Sequence, residues 1–188
     1  MKEFLAKSAV RIWLAIVGVA AILLITAYTF VQQEARLSAN DQPQDTAQVE
    51  KHQLENGAQP SDVVPTVKTD LSSDSSVFVT VTDSSEHVLA SSASLDGSAS
   101  LPPANTFVFT KQHGSDHFTW QPRSGVRLAT YILPYGNSPN DGFIIAGQSL
   151  KQAEKRIETY TVLMVIAWLA VVAWTTFILI IPTTKKSK

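Results

Sequence analysis

The sequence predicts an α+β membrane protein, in which two transmembrane helices flank one extracytoplasmic domain with an antiparallel sheet of about five strands. Three observations carry this. Tyr160–Ile181 is a run of 22 residues without a charge, about 33 Å as a helix and long enough for the roughly 30 Å hydrocarbon core of a bilayer. Ile12–Val31 is a second uncharged run, of 20 residues. Between them lie short β-branched and aromatic runs, punctuated by Gly, Pro, Asn and Asp, which is the pattern of strands and turns.

The expected organisation is a tail (1–11), a first span (12–31), a domain (32–159), a second span (160–181) and a second tail (182–188). Lys2, Lys7, Arg11, Lys185, Lys186 and Lys188 make the tails basic, whereas 32–159 holds nine Lys/Arg against fifteen Asp/Glu. The positive-inside rule then places both termini in the cytoplasm of a multi-pass plasma-membrane protein. The alternative for the first run is a cleavable signal peptide. Its length exceeds the usual ~7–15 apolar residues, and no Ala-x-Ala site follows. Trp13, Tyr28 and Tyr160 stand where interfacial aromatics belong. Ala167, Ala170 and Ala173 offer a small-residue face for the first helix, with Gly18 and Ala21 as counterparts. The absence of cysteine excludes disulfides and thiolate metal sites. The net charge of -1 gives no reason to expect nucleic acid.

Within the domain, Asn40-Asp41 before Pro43 reads as a helix start, and Asn56-Gly57 as its stop. The polar segment Ala58–Ser76, with Pro60 and Pro65, reads as a linker. Val77–Thr82 alternates, with Val77, Val79 and Val81 on one face. Asp83–Glu86 is a hairpin turn, His87–Ser91 the return strand, and Ser92–Ala104 a loop. Four more strands are expected at Thr106–Lys111, His117–Gln121, Gly125–Pro134 and Phe143–Gln148, with turns at Gly114, Pro122/Gly125, Gly136-Asn137 and Asp141-Gly142. Ser149 then stands at a helix N-cap position. Leu150, Ala153, Ile157 and Tyr160 follow as one apolar stripe, which continues through Met164 and Ala167 into the second span. With no Gly or Pro between Ser149 and Ile181, this stripe is the expected signal-coupling element. It would pack on the first helix or on its twin in a homodimer.

The residues with chemistry are few. Arg127, Ala129 and Tyr131 share one face of a strand. With Trp120 from the neighbouring strand, Arg127 and Tyr131 would form a pocket for a small anionic ligand, provided that face lies beneath the loops. The alternative is a solvent face on which Arg127 pairs with an acidic neighbour. His113-Gly114-Ser115-Asp116-His117 has metal-ligand residue types, but as a hairpin it can set two histidines face to face without a metal. Asp83, Asp96 and Asp116 read as turn residues. With no Ser-His-Asp order, phosphate loop or HExxH, no catalytic residue, metal or other cofactor is expected, nor an enzyme.

Several pieces carry a resemblance. They are Ala39–Gln44, Phe78–Asp83, Thr119-Trp120-Gln121-Pro122, Gly125–Ala129, and Gly142–Leu150 leading to Glu154. In this order they resemble the extracytoplasmic PAS/Cache-like sensor region of bacterial two-span membrane sensor proteins, including histidine kinases. The chain departs from that pattern in the first hairpin turn, where Ser85-Glu86 replaces the usual Gly. It also stops seven residues after the second span, without a HAMP linker, phosphoacceptor helix or ATP-binding domain. The resemblance therefore implies a sensory or accessory module for signal transduction that works through another membrane protein or a homodimer. The rival expectation is a structural or assembly subunit that binds a cell-envelope or membrane partner protein.

Overall fold

The computed structural model describes residues 2–136 and 142–180. The expected turn residues Asn137 and Asp141, the last span residue Ile181, and Lys185, Lys186 and Lys188 lie outside the described residues. The elements are α1 (Lys2–Glu55), α2 (Pro60–Val63), β1 (Thr69–Asp70), β2 (Phe78–Thr82), β3 (Val88–Ser91) and β4 (Ala93–Ser94). They continue with α3 (Ala104–His113), β5 (Asp116–Arg123), β6 (Val126–Pro134), β7 (Phe143–Ser149) and α4 (Lys151–Ile180). The chain divides into two compact units: Ala35–Lys155, and Met1–Glu34 with Arg156–Lys188.

The second of these units is a pair of helices. Both α1 and α4 are long and apolar enough to cross a membrane, and their most apolar stretches lie open on the surface. Polar contacts between them include Trp13 Nε1 donating to Thr175 Oγ1 at 3.0 Å and the Tyr28 and Thr161 hydroxyls meeting at 2.9 Å. Other hydroxyls are satisfied locally, as apolar surroundings require. Thr26, Thr29 and Thr176 each bond the carbonyl four residues back. On α4 the half-covered positions include Ile157, Thr161, Met164, Val171 and Thr175. The expected stripe holds at Ile157 and Met164 but not at Tyr160 or Ala167. Thr161 takes the inward place because it meets Tyr28, while Tyr160 is 46% exposed. The small-residue packing is also corrected. Ala167, Ala170 and Ala173 are exposed, and nothing lies within 4 Å of a side chain added at Gly18.

Ala35–Lys155 is built on a five-stranded antiparallel sheet of order β3-β2-β7-β6-β5. One face carries Val79, Val81, Tyr131, Leu133, Ile144 and Ala146 and is covered by Ala47 of α1 and Val63 of α2. The other carries Phe78, Val126, Leu128, Ile132, Phe143 and Ile145 and is covered by Phe107 of α3 with Leu71, Ala93 and Leu95. With both faces covered, β2 and β7 are buried at every position. The predicted alternation in β2 survives only as a choice between two cores, Val79 and Val81 in one and Phe78 in the other.

Three expectations are corrected here. Thr106–Lys111 is helix, not strand. The run is rich in β-branched and aromatic residues, yet Thr106, Phe107 and Thr110 are buried at helical spacing. The Thr106 and Thr110 hydroxyls bond Pro103 O and Thr106 O, and Gly114 ends the helix at φ 85° with its N–H on Thr110 O. Gly114-Ser115 is therefore a helix cap and not a hairpin turn. The segment Ala58–Ser76 is no free linker: it forms α2 and β1, β1 pairs in parallel with β4, and Val63 and Leu71 are buried. Finally, α1 does not restart at Asn40–Pro43 but runs through Pro43 unbroken.

Candidate functional site

Pro43 inside α1 creates a specific need. It has no N–H, so the carbonyl of Ala39, four residues earlier, loses its helical partner. Ala39 is buried, and so is Pro43. A buried carbonyl without a partner is costly. Gln148, near the end of β7, fills the gap: its Nε2 donates to Ala39 O at 3.0 Å. This bond clamps α1 to the sheet where the regular helical bond is missing.

One residue later the same strand becomes α4. Ser149 ends β7, Leu150 is a turn, and Lys151 begins the helix. The Leu150 N–H donates to Arg127 O at 2.9 Å, which extends the β6–β7 pairing to the helix start, and the Glu154 N–H returns to Leu150 O at 2.8 Å. The N-cap position expected of Ser149 falls instead on Leu150, whose carbonyl accepts that first helical bond; Ser149 still belongs to β7, and its Oγ accepts the Lys151 N–H at 3.4 Å. The Arg127 guanidinium bonds Glu154 Oε1 at 2.6 Å across the first turn of α4, and Lys151 Nζ donates to Ser72 O at 3.0 Å. The ends of β6 and β7 thus hold the domain segment of α1 and the start of α4 at one place.

The three residues of the expected anion pocket are not brought together. Trp120 pairs with Leu128 in register and shares its face, whereas Arg127 and Tyr131 fall on the opposite face by the two-residue period of a strand. Trp120 packs against the Phe107 core and donates its indole N–H to Thr130 Oγ1 at 3.0 Å. Tyr131 is buried and packs at a tilt against His117, ring centroids 4.3 Å apart. Arg127 is half exposed and takes the alternative role, an ion pair with an acidic neighbour. Of the residues expected to form a coupling stripe, Leu150, Ala153 and Ile157 are half-covered and Tyr160 is not.

His113 and His117 do not face each other. His113 ends α3 and stacks on Phe109 at 3.9 Å, while His117 lies on β5 against Tyr131. Among the described residues no group of three or more His, Asp or Glu is placed to hold a metal. The turn aspartates work locally. Asp83 accepts the Ser85 and His87 N–H groups, and the bond from the His87 backbone is the main reason its carboxyl lies below the usual range. Ser72 and Ser76 lower Asp70 and Asp74 in the same way, by backbone and then side-chain bonds. Asp96, at φ 54°, receives Arg123 Nη1 at 2.7 Å on both carboxylate oxygens.

No family model, curated protein or solved structure matches this chain.

The residues that sequence reasoning missed are Gln148 as a clamp and Glu50 on the inner face of α1. Pro43 within a helical pattern was the signal for the first. For the second it was a carboxylate on the apolar spacing Ala39, Pro43, Ala47, Leu54.

Proposed function

We propose that this chain is a plasma-membrane protein with two helical spans, both termini cytoplasmic, and an extracytoplasmic PAS/Cache-like domain. It serves as a sensory or accessory module for signal transduction and acts through a membrane partner rather than by catalysis. The basic tails and the two exposed apolar helices support the membrane reading. An antiparallel sheet with a long entry helix on one face, and a short helix and loops on the other, supports the PAS/Cache-like reading.

The observation that carries the signalling role is the junction at the end of β7. Gln148 bonds α1, and the strand passes into α4 through Leu150 alone. A shift of β7 on binding a ligand or partner moves the start of α4, because no linker separates them. Transmission needs a bistable element that binding biases, and the strand end is the place for it.

The clasp is tested in the full chain, which is free of cysteine and accepts a single reporter at half-buried Ala153. Arg127→Ala is expected to speed thiol modification at position 153 by up to about fivefold, since a half-exposed ion pair is worth ~0.2–1 kcal/mol. The swap of Arg127→Glu with Glu154→Arg should bring the rate back. A rate indifferent to Arg127 would show that the strand end does not hold the helix, and the mechanical basis of the reading would be lost.

The second reading, an assembly subunit that docks a membrane or cell-envelope protein, is favoured by α3. Val108 and Phe109 are 54% and 43% exposed on that helix, adjacent apolar side chains turned away from the core. A docking role predicts that Val108→Ser with Phe109→Ser removes partner association while the domain stays folded.

A further inference from the structure

Glu50 lies on the stripe of α1 that faces the sheet. Ala39, Pro43, Ala47, Glu50 and Leu54 recur at helical spacing. The first three are buried, and Leu54 packs against the Val79–Tyr131 core. Glu50 Oε2 is shut off from solvent and has no hydrogen-bond partner. No group bonds Glu50 Oε2. The sheet face opposite presents Val79, Val81, Tyr131, Leu133, Ile144 and Ala146. His117, in register with Tyr131 and packed on its ring, shares that face, and so does Arg127, which is engaged with Glu154. From α2, Asp62 is exposed and receives the Gln59 N–H. Tyr135, just past β6, donates its hydroxyl to Thr82 O. On α1 itself, Lys51 pairs with Glu55 at 3.7 Å and His52 is exposed. A carboxylate oxygen buried among apolar groups is disfavoured in its charged form, whereas the neutral acid is tolerated.

We propose that Glu50 is a proton-binding latch between the entry helix and the sheet. The carboxylate takes a proton from solvent, the neutral acid settles under α1, and acidification locks the domain segment of α1 onto Val79, Tyr131 and Ile144. Burial acts in the matching direction, holding the Glu50 carboxyl above the usual carboxylate range. The sign follows. An acid whose pKa is higher in the folded state than in the unfolded state binds its proton more readily when folded. Folded stability is therefore penalised at neutral pH, and the penalty lifts as pH falls through the folded pKa toward the unfolded one. Asp70, Asp74 and Asp83 have the opposite sign: their pKa values are lowered, and their stabilisation is lost only as pH falls below about 4. A mildly acid window separates the two effects. The latch deepens the sensory reading by naming the proton as a ligand and rests on that reading for its consequence in signalling, but the titration itself does not.

The experiment compares thermal unfolding of the full chain in detergent with that of Glu50→Gln and Glu50→Ala, from about pH 7.5 down to about pH 4, the ordinary carboxylate range. Glu50→Gln is expected to melt higher than the parent at neutral pH, with the gap narrowing as pH falls toward that range. Glu50→Ala leaves a small void and need not melt higher, but it should lose the same pH-dependent component. A gap constant over the whole range, for both variants, overturns the latch. So does a parent that is the more stable at neutral pH and loses ground on acidification. Neither result bears on membrane topology, which labelling of the chain in cells decides separately.

Discussion

Gly147→Ala is expected to destabilise the domain by about 3 kcal/mol, at the upper end of the cost of overpacking a core. Gly147 sits in the middle of β7, opposite Phe78 on one side and Thr130 on the other. A Cβ there would lie 2.6 Å from Phe78 Cζ and 2.8 Å from Ala129 O. Phe78 is 1% exposed and has nowhere to retreat, and the second contact is backbone held in the β5–β6–β7 ladder. For a domain of this size the loss should appear as a fall in Tm of about 10 °C. Gly18→Ala is the control, since open space surrounds that position, and it should leave the domain's melting unchanged. Equal melting of Gly147→Ala and the parent would show that β2 and β7 are not packed as described.

Gln148→Ala is expected to cost about 1–3 kcal/mol, the penalty for leaving a buried carbonyl unpaired. The diagnostic quantity is the coupling to Pro43. In a Pro43→Ala background residue 43 regains an N–H and can bond Ala39 O itself, so removal of Gln148 should cost much less. The single effect of Pro43→Ala mixes a gained hydrogen bond with greater freedom of the unfolded chain and is not informative alone. A double-mutant cycle by denaturant unfolding isolates the interaction. Additive effects would mean that Gln148 does not answer the carbonyl that Pro43 leaves open.

These two positions show what the sequence makes legible and where it stops. The strands β2, β3, β5, β6 and β7 are readable because turn residues bound runs of β-branched and aromatic side chains, as in Phe78–Thr82 and Phe143–Gln148. The α3 segment is not. Thr-Phe-Val-Phe-Thr has strand propensity, and helix wins through the Phe107–Phe143 contact at 5.2 Å and the Gly114 cap, the former a tertiary term. The break expected at Pro43 follows local rules correctly. It fails because Gln148, distant in sequence, satisfies the freed carbonyl. The stripe on α4 is legible at Leu150, Ala153, Ile157 and Met164; between the last two Thr161 and not Tyr160 turns inward, because the Thr161 hydroxyl meets Tyr28, a contact that spacing alone does not specify. In the candidate site, the sequence offers two roles for Arg127. Face parity against Trp120 depends on strand register, which sequence does not specify, and the register selects the ion pair with Glu154.

The proposed topology places the domain outside the cytoplasm and both chain ends inside. Cysteine labelling of intact cells tests it most directly. In this Cys-free chain, Ala99→Cys places a thiol on an exposed loop of the domain, and Lys188→Cys places one at the end of the sequence. A membrane-impermeant maleimide should modify position 99 in intact cells and reach position 188 only after permeabilisation. Labelling of position 188 in intact cells, or protection of position 99 until the membrane is opened, would contradict the account.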